Sequence, residues 1–137
     1  MKKSTAKKDY IYAVGSRKTA TARVRLYLKK GDKLVNGKAV GQYFPGEVSQ
    51  KYYLLPLTLT KTDEKFSFSA KIEGSGKHAQ LEALIHGLSR ALVLHDSEAY
   101  RPILKQHGFL TRDARKRERR KVGTGGKARR QKQSPKR

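Results

Sequence analysis

Cysteine is absent from the 137-residue chain, which removes disulfides, thiolate metal sites and cysteine nucleophiles together and suits a reducing compartment. No apolar run approaches the roughly 20 residues needed to cross a bilayer. The N-terminal stretch passes from Lys2 and Lys3 to Lys7 and Lys8 without the apolar segment of a signal peptide. Acids are scarce as well: eleven Asp and Glu face 33 Lys and Arg, for a net charge of +22. None of those acids stands in a recognisable pattern with a base and a nucleophile, so general acid–base catalysis has no support. The histidines, His78, His86, His95 and His107, show no metal-ligand spacing and read as surface or phosphate-facing groups. The expectation is a cytoplasmic protein that is not an enzyme, with no cofactor, metal, membrane attachment or small-molecule substrate.

What the chain does have is positive charge, unevenly placed. Residues 112–137 hold thirteen Lys or Arg against Asp113 and Glu118, with no aromatic and only Ala114, Val122 and Ala128 as apolar side chains. Ordering a backbone costs about 1–2 kcal/mol per residue, and this segment has almost nothing to bury in return. It is expected to be disordered alone and to gain shape on a polyanion, and nucleic acid is the partner that fits. An amphipathic membrane anchor would need large apolar residues that the arm lacks. Residues 1–9 form a short basic lead, and residues 10–111 remain basic but carry enough apolar side chains for one modest core.

Within 10–111 the pattern predicts an α+β domain. Tyr10 to Val14 reads as a strand stopping at Gly15, and Ala22 to Leu28 as a second, with Val24, Leu26 and Leu28 inward and Arg23, Arg25 and Tyr27 outward. Lys30-Gly31-Asp32 and Val35-Asn36-Gly37-Lys38 are turn signals. Ala39–Phe44 and Glu47–Leu55 read as two short helices separated by Pro45-Gly46, the second closed by Pro56. Phe66, Phe68, Ala70 and Ile72 alternate with Ser67, Ser69, Lys71 and Glu73 as a further strand. After Gly74-Ser75-Gly76-Lys77, a helical stripe of Leu81, Leu84, Ile85, Leu88 and Leu92 predicts about five turns, with Glu82, His86 and Arg90 on the opposite side. Asp96 is placed to cap another helix that holds Pro102 and stops at Gly108, with Phe109 and Leu110 sealing the domain.

Two places in this domain suit RNA. Gly74-Ser75-Gly76-Lys77 joins a strand to a helix, where backbone amides and the helix dipole hold phosphate. Position 71 is Lys and position 78 is His, so it is not a nucleotide P-loop; a tight turn that needs glycine is the plain alternative. Arg17, Lys18, Thr19 and Arg23 gather bases and a hydroxyl at the start of a strand, suited to phosphate and 2′-hydroxyl contacts or to a solvated edge that deters aggregation. In the arm, Arg112, Arg115, Arg117, Arg119, Arg120, Lys121, Lys127, Arg129 and Arg130 fall in basic clusters spaced by small residues or glycine. Without aromatics they offer backbone contacts rather than base stacking, and at about 3.3 Å per extended residue they reach tens of ångströms. A free nucleic-acid chaperone or a nucleoid-type DNA binder would share this charge.

Taken together these segments resemble one family, the universal small-subunit ribosomal protein conventionally numbered nine, in its bacterial form. The residues that carry the resemblance are Gly15-Ser16-Arg17-Lys18-Thr19-Ala20-Thr21-Ala22-Arg23-Val24; then Gly74-Ser75-Gly76, Ala79-Gln80, Ala83, Gly87 and Ser89-Arg90-Ala91-Leu92; then Gly108 through Arg115, Lys127-Ala128-Arg129-Arg130 and Lys136-Arg137. The resemblance implies a two-layer α+β domain like the second domain of another small-subunit ribosomal protein, with a left-handed βαβ crossover and a long basic C-terminal extension. It implies a ribosome-bound role in translation, with ribosomal RNA and neighbouring proteins of the small-subunit head as partners. It also implies that Lys136 and Arg137 contact peptidyl-site tRNA. Ser75 stands where the family usually has the middle of three glycines, which weakens the case for positive φ there. The usual ending of aromatic, Ser, Lys, Arg lacks its aromatic here and gains Pro135 between Ser134 and Lys136; the proline biases Ser134 toward extended geometry, so the tip is expected to project.

Overall fold

The computed structural model describes residues 8–119. The chain begins with a hairpin, β1 (Tyr10–Arg17) and β2 (Ala20–Tyr27), and a much shorter one, β3 (Lys33–Val35) and β4 (Lys38–Ala39). Helices α1 (Val40–Tyr43) and α2 (Glu47–Leu59) follow, then β5 (Ser67–Glu73), α3 (Lys77–His95) and α4 (Ser97–Gln106). The five strands make one mixed sheet in the order β1-β2-β5-β3-β4. β3 and β5 run parallel and the other neighbours antiparallel. The architecture is α+β: α3 lies across β1 and β2, and α2 and α4 pack on α3.

The alternating strands behave as their sequence predicts. Val24, Leu26, Phe68, Ala70 and Ile72 are buried under α3, while Arg23, Arg25 and Lys71 face outward. From α3, Leu84, Leu88 and Leu92 are fully buried, each stabilising the domain by about 1.5–3 kcal/mol relative to exposure. The Asn36-Gly37 hairpin has both residues at positive φ, 50° and 79°, the two-residue geometry that matches strand twist. Asp96 caps α4, its Oδ1 accepting from the Ala99 amide at 3.1 Å, and Gly108 ends it at φ 74°.

Five expectations require correction. Strand β1 does not stop at Gly15 but continues to Arg17, with Gly15 paired to Ala22. The glycine serves packing: a Cβ there would overlap the Ala83 carbonyl oxygen and the Gly87 amide of α3 and lie 2.7 Å from the Gly87 Cα. Leu28 is not inward. β2 ends at Tyr27 and Leu28 is 48% exposed. Ser67 is not on the wet side; it is buried, and its hydroxyl donates to the Lys29 carbonyl at 2.9 Å. Pro56 does not close α2, which runs on to Leu59 because fully buried Leu57 keeps the next turn on the core. The closure comes at Thr60, whose hydroxyl donates to the Pro56 carbonyl, and at Lys61 (φ 54°), after which the Thr62 amide returns to Leu57. Finally, His86 is buried, because α3 is covered on one side by the sheet and on another by the chain leaving α4.

Candidate nucleic-acid interface

Antiparallel pairing places the start of β2 beside the end of β5, with Thr21 opposite Glu73. The β1–β2 turn and the turn that leads into α3 therefore meet at one end of the sheet. Their contact is tight, for a Cβ on Gly74, itself at φ 86°, would overlap the Thr19 carbonyl oxygen. Lys18 occupies the β1–β2 turn at φ 52°, and Ser75 also adopts φ 52°. The middle position of the second turn thus keeps positive φ although it is serine, at a cost that glycine would not incur.

The same end carries the first turn of α3, whose N-cap, Gly76, supplies no side-chain acceptor, leaving the leading amides open to an anion. Gln80 braces this turn, its Nε2 donating to the Gly74 carbonyl at 3.0 Å, while its Oε1 accepts from the Tyr43 hydroxyl at 2.7 Å. Lys77 is held above the Tyr43 ring, with Nζ 3.2 Å from the centroid, a cation–π seat that fixes the ammonium at the mouth of the turn.

Arg17 has a different position from its neighbours. Only 14% of its side chain is exposed. Its Nε donates to Glu82 Oε2 at 2.6 Å, one terminal nitrogen donates to the Arg115 carbonyl at 2.8 Å, and the other lies 3.5 Å from Asp113 Oδ2. Arg112 adds a bond to the Lys18 carbonyl at 3.3 Å. Asp113 in turn accepts from the amide and guanidinium of Arg115, and those bonds hold its carboxyl well below the usual carboxylate range. The root of the C-terminal arm is thereby fastened to the domain through one guanidinium that bridges β1, α3 and the arm.

His86 lies beneath this junction. The Ser16 amide donates to its Nδ1 at 3.1 Å, so the ring proton belongs on Nε2. Burial pushes its pKa down, the Arg90 cation adds to that, and backbone groups of Leu110 and Ser16 oppose it. This histidine is neutral and structural rather than phosphate-facing. His95 packs edge-on against Phe66 and His107 stacks on Phe109, while His78 is open to solvent.

Arg112 and Arg115 come together with Arg17, Lys18 and Thr19 at this end, and Lys77 stands at the same end of the domain on the Tyr43 side, whereas Arg23 stands out from the open face of the sheet. Arg117 and Arg119 are exposed in a segment without regular structure. Arg120, Lys121, Lys127, Arg129, Arg130, Lys136 and Arg137 lie outside the described residues. Reading the chain for bases overlooked Glu82 and Asp113, the acids that fasten the site. Their signal was faint: Glu82 sits one helical turn before His86, and Asp113 is one of only two acids in the arm. Among the described residues no group of three His, Asp or Glu could hold a metal ion, and no helix is long and apolar enough to cross a membrane.

A family model described as ribosomal protein S9/S16 matches residues 15–137. The small ribosomal subunit protein uS9 of Desulfovibrio desulfuricans is 49% identical over 112 residues, covering 82% of this chain and 85% of that protein. Its counterpart in Maridesulfovibrio salexigens is 50% identical over 119 residues, covering 87% of this chain and 91% of that protein.

Proposed function

The chain belongs to the ribosomal protein S9/S16 family, and from that premise we propose that it binds ribosomal RNA in the head of the small subunit and touches peptidyl-site tRNA with its C-terminal end. It is a non-enzymatic structural constituent of the small ribosomal subunit and acts in translation. Three parts divide the work in this proposal: a basic lead at 1–9, a globular domain at 10–111 and an RNA-threading arm at 112–137. The crossover joining parallel strands β3 and β5, which contains β4, α1 and α2, is the βαβ unit to which we assign the left hand.

The observation that carries the proposal is the fastening of the arm's root by Arg17 at the end of the domain where Lys18, Thr19 and Lys77 also sit. RNA docked on Lys18, Thr19, Lys77 and the open amides of α3 lies where the arm departs. Arg112 and Arg115 continue that surface, and Arg117, Arg119, Arg120, Lys121, Lys127, Arg129 and Arg130 follow the sugar–phosphate chain inward. Arg17 enters as the residue that aims the arm, with Arg23 contributing from the sheet. Phosphate neutralisation of this kind gives affinity without sequence readout. Neighbouring head proteins complete the set of partners.

Deleting Lys136 and Arg137 tests the finest part of this reading. Small subunits should still assemble with the shortened protein, and peptidyl-site tRNA should bind several-fold more weakly. The salt slope of tRNA binding should fall by about one for each residue removed. Undiminished tRNA affinity in subunits that contain the shortened chain would refute the tRNA contact.

A further inference from the structure

Resting on the same reading, that the chain binds ribosomal RNA, we propose that the open face of the sheet is a second RNA surface, where an unpaired nucleotide stacks on Tyr12 and its phosphates meet Arg23 and Arg25. Helix α3 covers the other face of the sheet, so the outward side chains of β1, β2 and β5 have no covering layer among the described residues. They form a shallow open depression of about 740 Å³, lined in part by Tyr12, Arg23, Arg25, Asn36 and Lys71. Tyr12 stands opposite Arg25, which stands opposite Ser69, and Arg23 lies between Val14 and Lys71.

Geometry and charge favour a nucleotide. Facing residues on adjacent antiparallel strands have Cβ atoms about 4.5–5.5 Å apart, and Arg23 and Arg25 rise about 6.6 Å from one another along β2. One aromatic ring and two guanidiniums thus share a patch the size of a nucleotide. Tyr12 is 48% exposed, and its ring has no stacking partner among the described residues. Tyr10, by contrast, meets the Tyr27 ring edge-on at 6.0 Å and sits under the Arg25 guanidinium at 5.2 Å. That contact fixes the Arg25 side chain over Tyr10, on the face that also carries Tyr12. Lys71 is matched by Glu73 at 3.2 Å, so the two arginines give the patch its sign. Two guanidiniums with no acid partner among the described residues call for an anionic occupant, and an exposed tyrosine beside them, with Tyr10 and Tyr27 already paired to each other on the same face, supplies a ring on which a base stacks. The arm has no aromatic residue, so stacking, if the protein supplies any, comes from this domain.

The test uses the full chain and small-subunit ribosomal RNA transcribed in vitro, with affinity measured across a salt series. Tyr12→Ala should bind about tenfold more weakly with the salt slope unchanged, and Tyr12→Phe should bind as the parent does. Arg23→Gln and Arg25→Gln should each lower the slope by about 0.7–0.9. In intact subunits, ultraviolet irradiation should crosslink Tyr12 to RNA. If Tyr12→Ala keeps full affinity while Arg117→Gln with Arg119→Gln loses it, the sheet-face proposal falls and the arm reading stands. Absence of a Tyr12 crosslink in subunits that do crosslink through the arm overturns it in the same way, independently of how any variant folds. A chain that does not bind the RNA at all overturns both.

Discussion

Replacing Gly15 by alanine should be among the most damaging single-methyl changes in this protein. The new Cβ would collide with the Ala83 carbonyl oxygen and the Gly87 amide, and would lie 2.7 Å from the Gly87 Cα. Each of those atoms is backbone of α3, so no side-chain rotation relieves the overlap. Carbon atoms rest about 3.5–4.0 Å apart, so α3 must retreat from β1 by about 1 Å. A gap of that size forfeits a quarter to a half of each dispersion contact it opens, and the seam between α3 and the β1–β2 hairpin contains Val24, Ala83, Leu84 and Leu88. Overpacking costs typically about 1–3 kcal/mol; with backbone on both sides, Gly15→Ala belongs at the upper end, about 3 kcal/mol. For a domain of this size that lowers Tm by roughly 12 °C.

Gly87→Ala provides the internal comparison. Its Cβ would meet Val24 Cγ2 at 2.7 Å and the Gly15 amide at 3.1 Å, a milder conflict partly with a side chain. Alanine also returns about 1 kcal/mol of helix propensity. The net cost should be about 0–2 kcal/mol, and Val24→Ala should cost less in the Gly87→Ala background than alone. Urea and thermal unfolding of the purified full-length chain measure all three. A Gly15→Ala protein that melts within about 2 °C of the parent would show that the α3–β1 seam is not the close backbone approach described.

Arg17→Ala should release the arm's root: NMR order parameters for residues 112–115 should fall from about 0.85 toward 0.6, and Arg17→Lys should not restore them, since an ammonium cannot bridge two carboxylates and a carbonyl in one plane. Stability should decline as pH drops below about 6.5, because His86 is held neutral in the folded state and the unfolded chain takes up the proton first. The loss should saturate once pH passes the lower folded value, and His86→Gln should flatten this part of the urea-midpoint profile. Ser75→Gly should gain about 0.5–1 kcal/mol, relief of the φ 52° backbone outweighing the entropy of the unfolded glycine. Gly74→Ala should lose stability, having both a positive φ and the Thr19 carbonyl in the way. Urea unfolding of the pair checks the sign of each.

Period-two alternation made β2 and β5 legible because one face of each meets α3 and the other does not. The Asn36-Gly37 turn and the Asp96 cap were legible because their chemistry is local. Gly15 was misread for a physical reason: from sequence alone glycine signals a break, and only the arrival of α3 across β1 turns it into a packing device. Pro56 misled similarly, since local chemistry ends a helix there while tertiary burial of Leu57 continues it. His86 looked solvent-facing because one helix has only one apolar stripe to read, and α3 is covered from more than one direction. The basic residues of the site were plain in the sequence. Their arrangement was not, because Arg17 meets Glu82 across 65 positions and Arg115 across 98.

The placement of the acids explains how a chain carrying +22 forms a compact domain at all. Self-repulsion opposes folding, and at a Debye length of about 8 Å it is relieved only by charges placed close by. Glu82 and Asp113 meet Arg17, Asp63 meets Lys33 at 2.8 Å, and Glu73 meets Lys71. Asp96 caps α4, while Glu47 and Glu98 lie in the first turns of α2 and α4, where the helix dipole favours them. Seven of the eleven acids therefore sit beside a cation or at a helix N-terminus. Lys18, Arg23, Arg117 and Arg119 have no acid within ion-pairing distance among the described residues. Asp113 belongs to the arm yet folds with the domain, so the arm's direction is set before RNA arrives, and the ordering cost of its first residues is met in folding rather than in binding.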